Sequence, residues 1–553
     1  MGSPALLSDF HKRSLFLLSF FFVAFGQPAW NVPFSMVAGC IGYALFWYAL
    51  LQLPERRFWV TVAWYAAVQA VHLSWLTSTK YMGPLIFLVY AFLLFSMGLQ
   101  FAFLTKWIRL PLRWPQVLGM AGFWVFMEVA WLLPCTGFPW DPMGLCLAAN
   151  RFSIQWASVW GIYGLSFWVV LTNLLGLRAL LLKTKKNWAI WATMTLFPYA
   201  FGAIHQAVWE SKLKEGKEIS VALVQTALTP FQKDFIHSKE FVPLLVQWDR
   251  ILTYLRNTGS SQFDLIALPE GALPGGAARV LYSLDVVREF WKAHFGETAE
   301  ADFPPLVSPY AVKITENRWE VSNAFWMQSL ANRYHAEVIA GLEGREEQRK
   351  YNAAFHFFPK GQTIDRYEKR ILVPMGEYLP LGDWEFFSNF AAHQFGVADS
   401  FDAGVRAHVF RGVYPMGISI CAEETYSHLI REIRQAGAEL FVNISNNAWF
   451  PESKLALQHY DHGRLRAAEN GVCVLRACNT GVTAAIDSFG NPLHVFPGEK
   501  AGVLSLKMPI RFHPTLYVWW GDLTIFLVSI FCFFGLLVDR FWKKKLLEYR
   551  TLD

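Results

Sequence analysis

The sequence predicts a multi-span α-helical membrane bundle of eight helices joined to an extracytoplasmic α/β domain, and three observations lead there. The composition is 54% hydrophobic and 17% aromatic, with 25 Trp and 48 Phe in 553 residues, too apolar for an ordinary soluble chain. The apolar residues are grouped. Stretches of roughly 20 residues, enough for a helix to cross ~30 Å of hydrocarbon, fill the first ~210 positions and recur once near the end. Between Trp209 and His513 charged residues return, and short runs of Val, Ile, Leu and Ala alternate with helix-like stretches.

The apolar stretches lie at 14–26, 33–53, 58–76, 83–105, 116–133, 162–182, 188–208 and 516–538. The first has the basic start of a signal peptide (His11-Lys12-Arg13), but Gly26-Gln27-Pro28-Ala29-Trp30 is not a small-x-small cleavage site, so it reads as a retained helix. Basic residues set the orientation. With the N-terminus inside, the inner face collects Lys12, Arg13, Arg56, Arg57, Lys106, Arg109, Arg113, Lys183, Lys185, Lys186, Arg540 and Lys543 to Lys545. The short outer loops hold little more than Lys80 and Arg151. Seven spans then place the α/β domain outside, and the eighth returns the tail to the cytoplasm. The expected domains are 1–208 (seven spans), 209–513 (the α/β domain) and 514–553 (the last span and basic tail). Glu128, within a span, is costly facing lipid and is expected to face a polar partner inside the bundle, in a structural role. Asp522 sits near the outer end of its helix, where water and headgroups solvate it.

In the α/β region the strand signals are 219–225, 264–270, 336–342, 351–358, 416–421, 438–445, 472–478 and 483–489, with helical patterns at 425–436 and 455–470. Strands alternating with helices imply one domain of ~300 residues. The net charge of +6 comes with no nucleic-acid-binding motif, so that class is set aside. Seven scattered cysteines, an odd number, do not form a disulfide framework, and no CxxC, Cys/His cluster or HExxH points to a metal. Cys473 and Cys478 fall on opposite faces of one strand and read as core; Arg466 and Glu469 read as a structural ion pair.

Three residues end or follow strands: Glu270 in DLIALPE, Lys369 in YEKRILVPMGEYLP and Cys421 in MGISIC. Catalytic groups gather at strand ends in α/β sheets, because the loops there can be shaped around a ligand. Singly, each has a plainer reading: a small buried thiol, a surface lysine, a surface glutamate. A catalytic reading has its own physics. The thiolate is the reactive species, favoured by a helix N-terminus and an adjacent cation. A shielded Glu270 can hold a raised pKa and act as general base, and Lys369 offers positive charge to a tetrahedral oxyanion.

Together, in this order and with the flanks LPEGALP, YEKRILVPMGEY and GISICAEE followed by NISNNAWF and NTGVTAAID, the residues resemble the Glu-Lys-Cys triad of the nitrilase superfamily. With membrane helices on both sides and TGFPWDP (136–142) in an outer loop, the whole chain resembles the apolipoprotein N-acyltransferases. The resemblance implies a nitrilase-like αββα sandwich with Glu270 as general base, Lys369 as oxyanion stabiliser and Cys421 as nucleophile. Glu377 and Glu423 match supporting acidic positions that orient the triad and the incoming amine. It further implies a phospholipid acyl donor, most often through its sn-1 chain, and a diacylglyceryl apolipoprotein acceptor. The expected chain is a monomer without cofactor, multi-pass in the bacterial inner membrane, with its catalytic domain periplasmic and both termini cytoplasmic. The chain departs from the family pattern at Asn447 (usually acidic), Pro451 (usually Gly) and Ala422 (often aromatic), and Phe235 stands near an expected tryptophan. The apolar stretch 384–390 reads either as a membrane-dipping lid or as core. A membrane-tethered amidase or nitrilase would use the same triad with water as acceptor. A scaffold or transporter would need no such triad, and transport predicts paired, broken polar helices that the spans lack.

Overall fold

Each of the eight apolar stretches forms a helix. The structure, a computed structural model, describes residues 8–53, 56–213, 216–233, 237–361, 363–380, 400–496 and 498–550, with side chains as far as residue 543. The stretch 384–390 and Phe235 lie outside the described residues. Five helical segments are long and apolar enough to cross a bilayer: Val32–Leu50, Ile86–Thr105, Trp114–Leu132, Ser153–Leu182 and Leu523–Lys543. The helices Asp9–Ala24 and Arg57–His72 have 16 residues each. That is ~24 Å, short of a full crossing. Lys185–Lys212 has 28 residues but carries polar and charged residues at both ends.

Residues fall into two compact units. One comprises Met1–Lys212, Glu452–Gly471 and Pro514–Asp553; the other comprises Leu213–Pro451 and Val472–His513. The first is the helical, apolar unit. Phe46 and Trp64 stack at 4.0 Å and Tyr65 stacks on Phe101 at 4.4 Å, so aromatic faces fill its interior. Where Trp114–Val129 meets Leu523–Arg550, a Cβ on Gly122 would lie 2.7 Å from the Ser529 carbonyl oxygen, a backbone approach only glycine permits. Glu128 faces the bundle interior and accepts hydrogen bonds from the Trp124 indole (2.7 Å) and the Met143 amide (2.8 Å), which fits a structural role. Asp522 accepts a bond from the Tyr517 hydroxyl at 3.3 Å. In the TGFPWDP segment, Asp141 bonds His72 at 3.0 Å, and the Trp140 ring meets His459 edge-on at 5.5 Å. His459 lies on the helix Leu455–Asn470, which belongs to this unit although it connects two strands of the other. The helix also carries the buried pair Arg466–Glu469 (3.1 Å), and Glu469 accepts the Ile162 amide at 2.8 Å.

The second unit is built on β-strands. In chain order they are β1 (Glu218–Gln225), β2 (Leu265–Ala267), β3 (Val280–Ser283), β4 (Ala311–Thr315) and β5 (Arg318–Ser322). Next come β6 (Glu337–Glu346), β7 (Arg349–Phe357), β8 (Asp365–Glu368), β9 (Val409–Arg411) and β10 (Pro415–Ile420). The last are β11 (Leu440–Ser445), β12 (Cys473–Cys478), β13 (Ala484–Ile486), β14 (Pro492–Val495) and β15 (Gly502–Pro509). Two six-stranded sheets, β15-β1-β2-β6-β7-β8 and β14-β13-β12-β11-β10-β9, face each other; a small sheet β3-β5-β4 stands apart.

The alternation of the strands dictates the layers. Val221, Leu223, Leu265 and Ile339 from the first sheet pack with Ile418, Ile420, Val442 and Leu475 from the second. The other face of the first sheet, through Ala222, Ile266 and Val338, buries Trp248, Trp291 and Trp326 of the helices Leu244–Asn257, Leu284–Phe295 and Asn323–Tyr334. Ser427–Gln435 covers the second sheet, its Ile433 seated where Gly417 leaves room. This is the αββα sandwich.

Parallel pairing of β1, β2 and β6, and of β10, β11 and β12, aligns their C-terminal ends on one edge within each sheet. β7 runs against β6 and β8 against β7, so β8 also ends on that edge. Cys473 and Cys478 are buried free thiols bonded to the carbonyls of Arg511 and Val482.

Candidate active site

Glu270 lies two residues beyond Leu268, whose amide extends the β2 pairing to the Ile339 carbonyl at 2.8 Å. A Cβ on Gly341 would sit 2.6 Å from the Glu270 Cα, so only glycine lets β6 pass this close. Lys369 follows β8 directly, its amide bonded to the Asn352 carbonyl at 2.8 Å. Cys421 follows β10 and opens the short 3-10 turn Cys421–Thr425 with φ +51. Such a left-handed backbone costs a residue other than glycine roughly 1–2 kcal/mol, the kind of local strain that collects at functional sites.

These strand ends bring the three expected residues together. The Lys369 ammonium, 1% exposed, donates to Glu270 Oε1 at 3.0 Å and Glu377 Oε1 at 2.9 Å. The Cys421 thiol is within hydrogen-bonding reach of Glu270, and its Sγ lies 4.0 Å from the Asn446 carbonyl. Asn352 Nδ2 donates to Glu270 Oε1 (2.8 Å) and Glu377 Oε1 (2.6 Å), so the two carboxylates share this donor as well as the ammonium. Glu377 Oε2 accepts the Val373 amide at 2.8 Å.

Electrostatics differ from expectation at two points. Burial pushes the Glu270 carboxyl up, but the Lys369 ammonium and the donors from Asn352, Lys369 and Cys421 outweigh it and hold the pKa below its ordinary value. The expected raised pKa is therefore corrected: the shielding is present, but a cation at 3.0 Å wins. Glu270 is ionised at neutral pH and gives up its charge less readily on acidification than an ordinary glutamate. Burial also pushes Lys369 down, and Glu270 and Glu377 overcome it to hold the ammonium well above its usual pKa. The Cys421 thiol is pushed up to about 12, first by burial and next by the Glu270 charge, against a lowering by Lys369. The expected helix-terminus lowering does not govern, since only a five-residue 3-10 turn follows the thiol. At rest the site holds a thiol, a carboxylate and an ammonium, and the thiol's proton has an acceptor beside it.

Glu423 lies behind the triad, between the turns that follow Lys369 and that carry Cys421. It is 0% exposed and accepts from the Tyr367 hydroxyl (2.9 Å) and the amides of Arg370 (2.6 Å), Ile371 (3.2 Å) and Ile420 (2.8 Å). It clips the turn after Lys369 to the turn that carries Cys421, and these donors occupy it. Replacing it with alanine strands them in the interior and lowers stability by about 3 kcal/mol, measurable as earlier denaturant unfolding. Glu424 pairs with Arg476 of β12 beneath the same turn. Asn447, one of the departures, sits against Gly481, whose added Cβ would lie 2.9 Å from Asn447 Nδ2.

Sequence reasoning missed Asn352, Tyr367 and Lys233. Asn352 carried a signal, as a polar residue inside the apolar run of β7. Lys233, also 1% exposed, donates to the Glu270 carbonyl at 3.1 Å from a short helix far off in sequence. Among the described residues, no group of three or more His, Cys, Asp or Glu is arranged to hold a metal ion.

A double-sheet sandwich with its reactive groups on one strand edge is the architecture of the carbon–nitrogen hydrolases, and residues 221–509 match the family model described as Carbon-nitrogen hydrolase. Residues 15–175 match a second model, the Apolipoprotein N-acyltransferase N-terminal domain. The apolipoprotein N-acyltransferase of Chlamydia caviae is 30% identical over 554 residues, covering 94% of this chain and 97% of that one. That of Chlamydia pneumoniae is 31% identical over 564 residues, covering 97% and 99%. A carbon-nitrogen hydrolase structure from Helicobacter pylori, 16% identical, covers 56% of this chain and 94% of that one at a TM-score of 0.34. The chain belongs to the apolipoprotein N-acyltransferase family.

Proposed function

We propose that this chain moves a fatty acyl group from a membrane phospholipid, through a thioester on Cys421, to the α-amine of the N-terminal S-diacylglyceryl cysteine of an apolipoprotein. The observation that carries the reading is one buried constellation: thiol beside carboxylate, carboxylate on ammonium at 3.0 Å. Glu270 takes the thiol proton as Cys421 attacks the ester carbonyl, and the tetrahedral oxyanion forms against the Lys369 ammonium. Collapse expels the lysophospholipid alkoxide, which recovers the proton from Glu270. The acceptor amine then attacks the thioester, gives its proton to Glu270, and the departing thiolate is reprotonated. Glu377 and Asn352 hold Lys369 and Glu270 in register without touching the acyl group.

In this division of labour 209–513 is the catalytic domain, except that Glu452–Gly471 groups with the helical unit, and 1–208 and 514–553 form the membrane part. The basic residues flanking the spans support cytoplasmic termini and a catalytic domain on the periplasmic side of the inner membrane, where the lipid-modified acceptors present their amines. All eight helices take part as spans, the 16-residue ones lying in locally thinned bilayer.

Incubating the purified chain with radiolabelled phospholipid and no acceptor is expected to leave hydroxylamine-sensitive label on the Cys421 peptide, discharged when a diacylglyceryl peptide is added. Label on another residue overturns the assignment. Discharge to water as fast as to the peptide makes the protein a hydrolase.

A further inference from the structure

We infer that Lys233 is a positioning residue for Glu270, fixing the peptide that carries the carboxylate and supplying the second positive charge the buried cluster needs. The inference rests on the reading of Glu270 as the base. Around Lys369 the cluster contains two carboxylates, Glu270 and Glu377, for one ammonium. Such an excess of negative charge opposes both a thiolate on Cys421 and an oxyanion on the substrate. Lys233 brings its ammonium to the backbone of Glu270, 3.1 Å from the carbonyl oxygen. The next residue, Gly271, has φ +53, and a Cβ there would lie 3.3 Å from Lys233 Nζ, so the chain is folded over the ammonium.

Lys233 is itself held in place. It ends the short helix Pro230–Lys233, with its amide on the Thr229 carbonyl at 3.1 Å. The preceding loop is tied down by Asn479, which accepts from the Leu228 amide (3.0 Å) and the Thr226 hydroxyl (2.6 Å). Asn479 Nδ2 also donates to Asn446 Oδ1 at 2.8 Å, and the Asn446 carbonyl is the one beside Cys421 Sγ. The hydrogen bonds thus run from the thiol side of the site, behind it, to the base. The titratable groups facing Glu270 are Lys369, Glu377, Cys421 and, further off, Cys478. Arg476 faces Cys421 from β12.

Lys233 touches the backbone carbonyl of Glu270 rather than its carboxylate, and removing a positive charge that near raises the carboxyl pKa, so the acid limb of any Glu270-dependent step moves to higher pH. The test is the pH dependence of iodoacetamide alkylation of Cys421 in the full-length detergent-solubilised chain, read on the Cys421 peptide. Lys233→Met is expected to move the acid limb up by about one pH unit and slow alkylation below it about tenfold. Lys233→Arg, which keeps the charge, keeps the limb at the wild-type position, and Lys233→Gln repeats the K233M result should that variant unfold early. An acid limb unmoved in both neutral variants, or moved as far in K233R, overturns the inference. Alkylation requires no phospholipid, so this result is separate from whether Cys421 carries the acyl chain.

Discussion

Cys421→Ala abolishes acyl transfer, a fall of at least about four orders of magnitude, because no neighbouring group can take over the covalent step. Cys421→Ser falls almost as far: Glu270, with its pKa held low by Lys369, is too weak a base to ionise an alcohol. Both variants keep the fold. Alanine and serine accept the same backbone as cysteine, and the positive φ at this position is a cost all three share. The measurements are transfer of labelled acyl chains to a diacylglyceryl peptide and thermal unfolding, compared with wild type. Transfer within a hundredfold of wild type in C421A would remove the thioester.

Lys369→Met is the second large effect, and its consequences reach beyond the oxyanion. The ammonium separates two carboxylates that also share one donor, Asn352. Without it the two charges face each other in a buried site, and one is expected to take a proton. The sign follows from what Lys369 does in the native site. Lys369 holds Glu270 below its ordinary pKa, so its loss moves Glu270 upward and shifts the acid limb of any residual activity to higher pH. Acyl transfer is expected to fall by about three orders of magnitude. Lys369→Arg does not recover it, since the site around the buried ammonium is closed and the larger guanidinium cannot take the same position without displacing its neighbours. A K369M enzyme within tenfold of wild type, with an unmoved acid limb, would exclude the proposed role.

The three residues that meet in the candidate site were legible in the sequence because a polar residue at a strand end leaves a local mark. Glu270, Lys369 and Cys421 each close a run of apolar residues, and the flanking motifs supply the order. Position along the chain also marked Glu377, four residues beyond the amide it accepts. What stayed hidden was set by partners distant in sequence. Lys233 and Asn352 meet Glu270 from 37 and 82 residues away, and no periodicity announces them. The motif placed Glu423 among the residues that orient the triad, but the Tyr367 and Arg370 donors that hold it come from a distant part of the chain and leave no mark beside it. The direction of the Glu270 shift was misjudged because the sequence named Lys369 as a partner in the site but not how close its ammonium lies to the carboxylate, 3.0 Å. β15 pairs with β1 along eight residues, yet its half-exposed pattern gave no strand signal.

The helix Leu455–Asn470 has a consequence for how the molecule comes into being. Neither unit is a single uninterrupted piece of chain: the helical one draws on three segments, the last beginning at Pro514. As the polypeptide emerges from the ribosome, the glycine face of Trp114–Val129 waits some four hundred residues for Leu523–Arg550. His72 and Trp140 likewise wait for the segment that brings Gln458 and His459. The bundle therefore cannot be completed until the segment from Pro514 has been made, by which point all of the chain that builds the sandwich has already emerged.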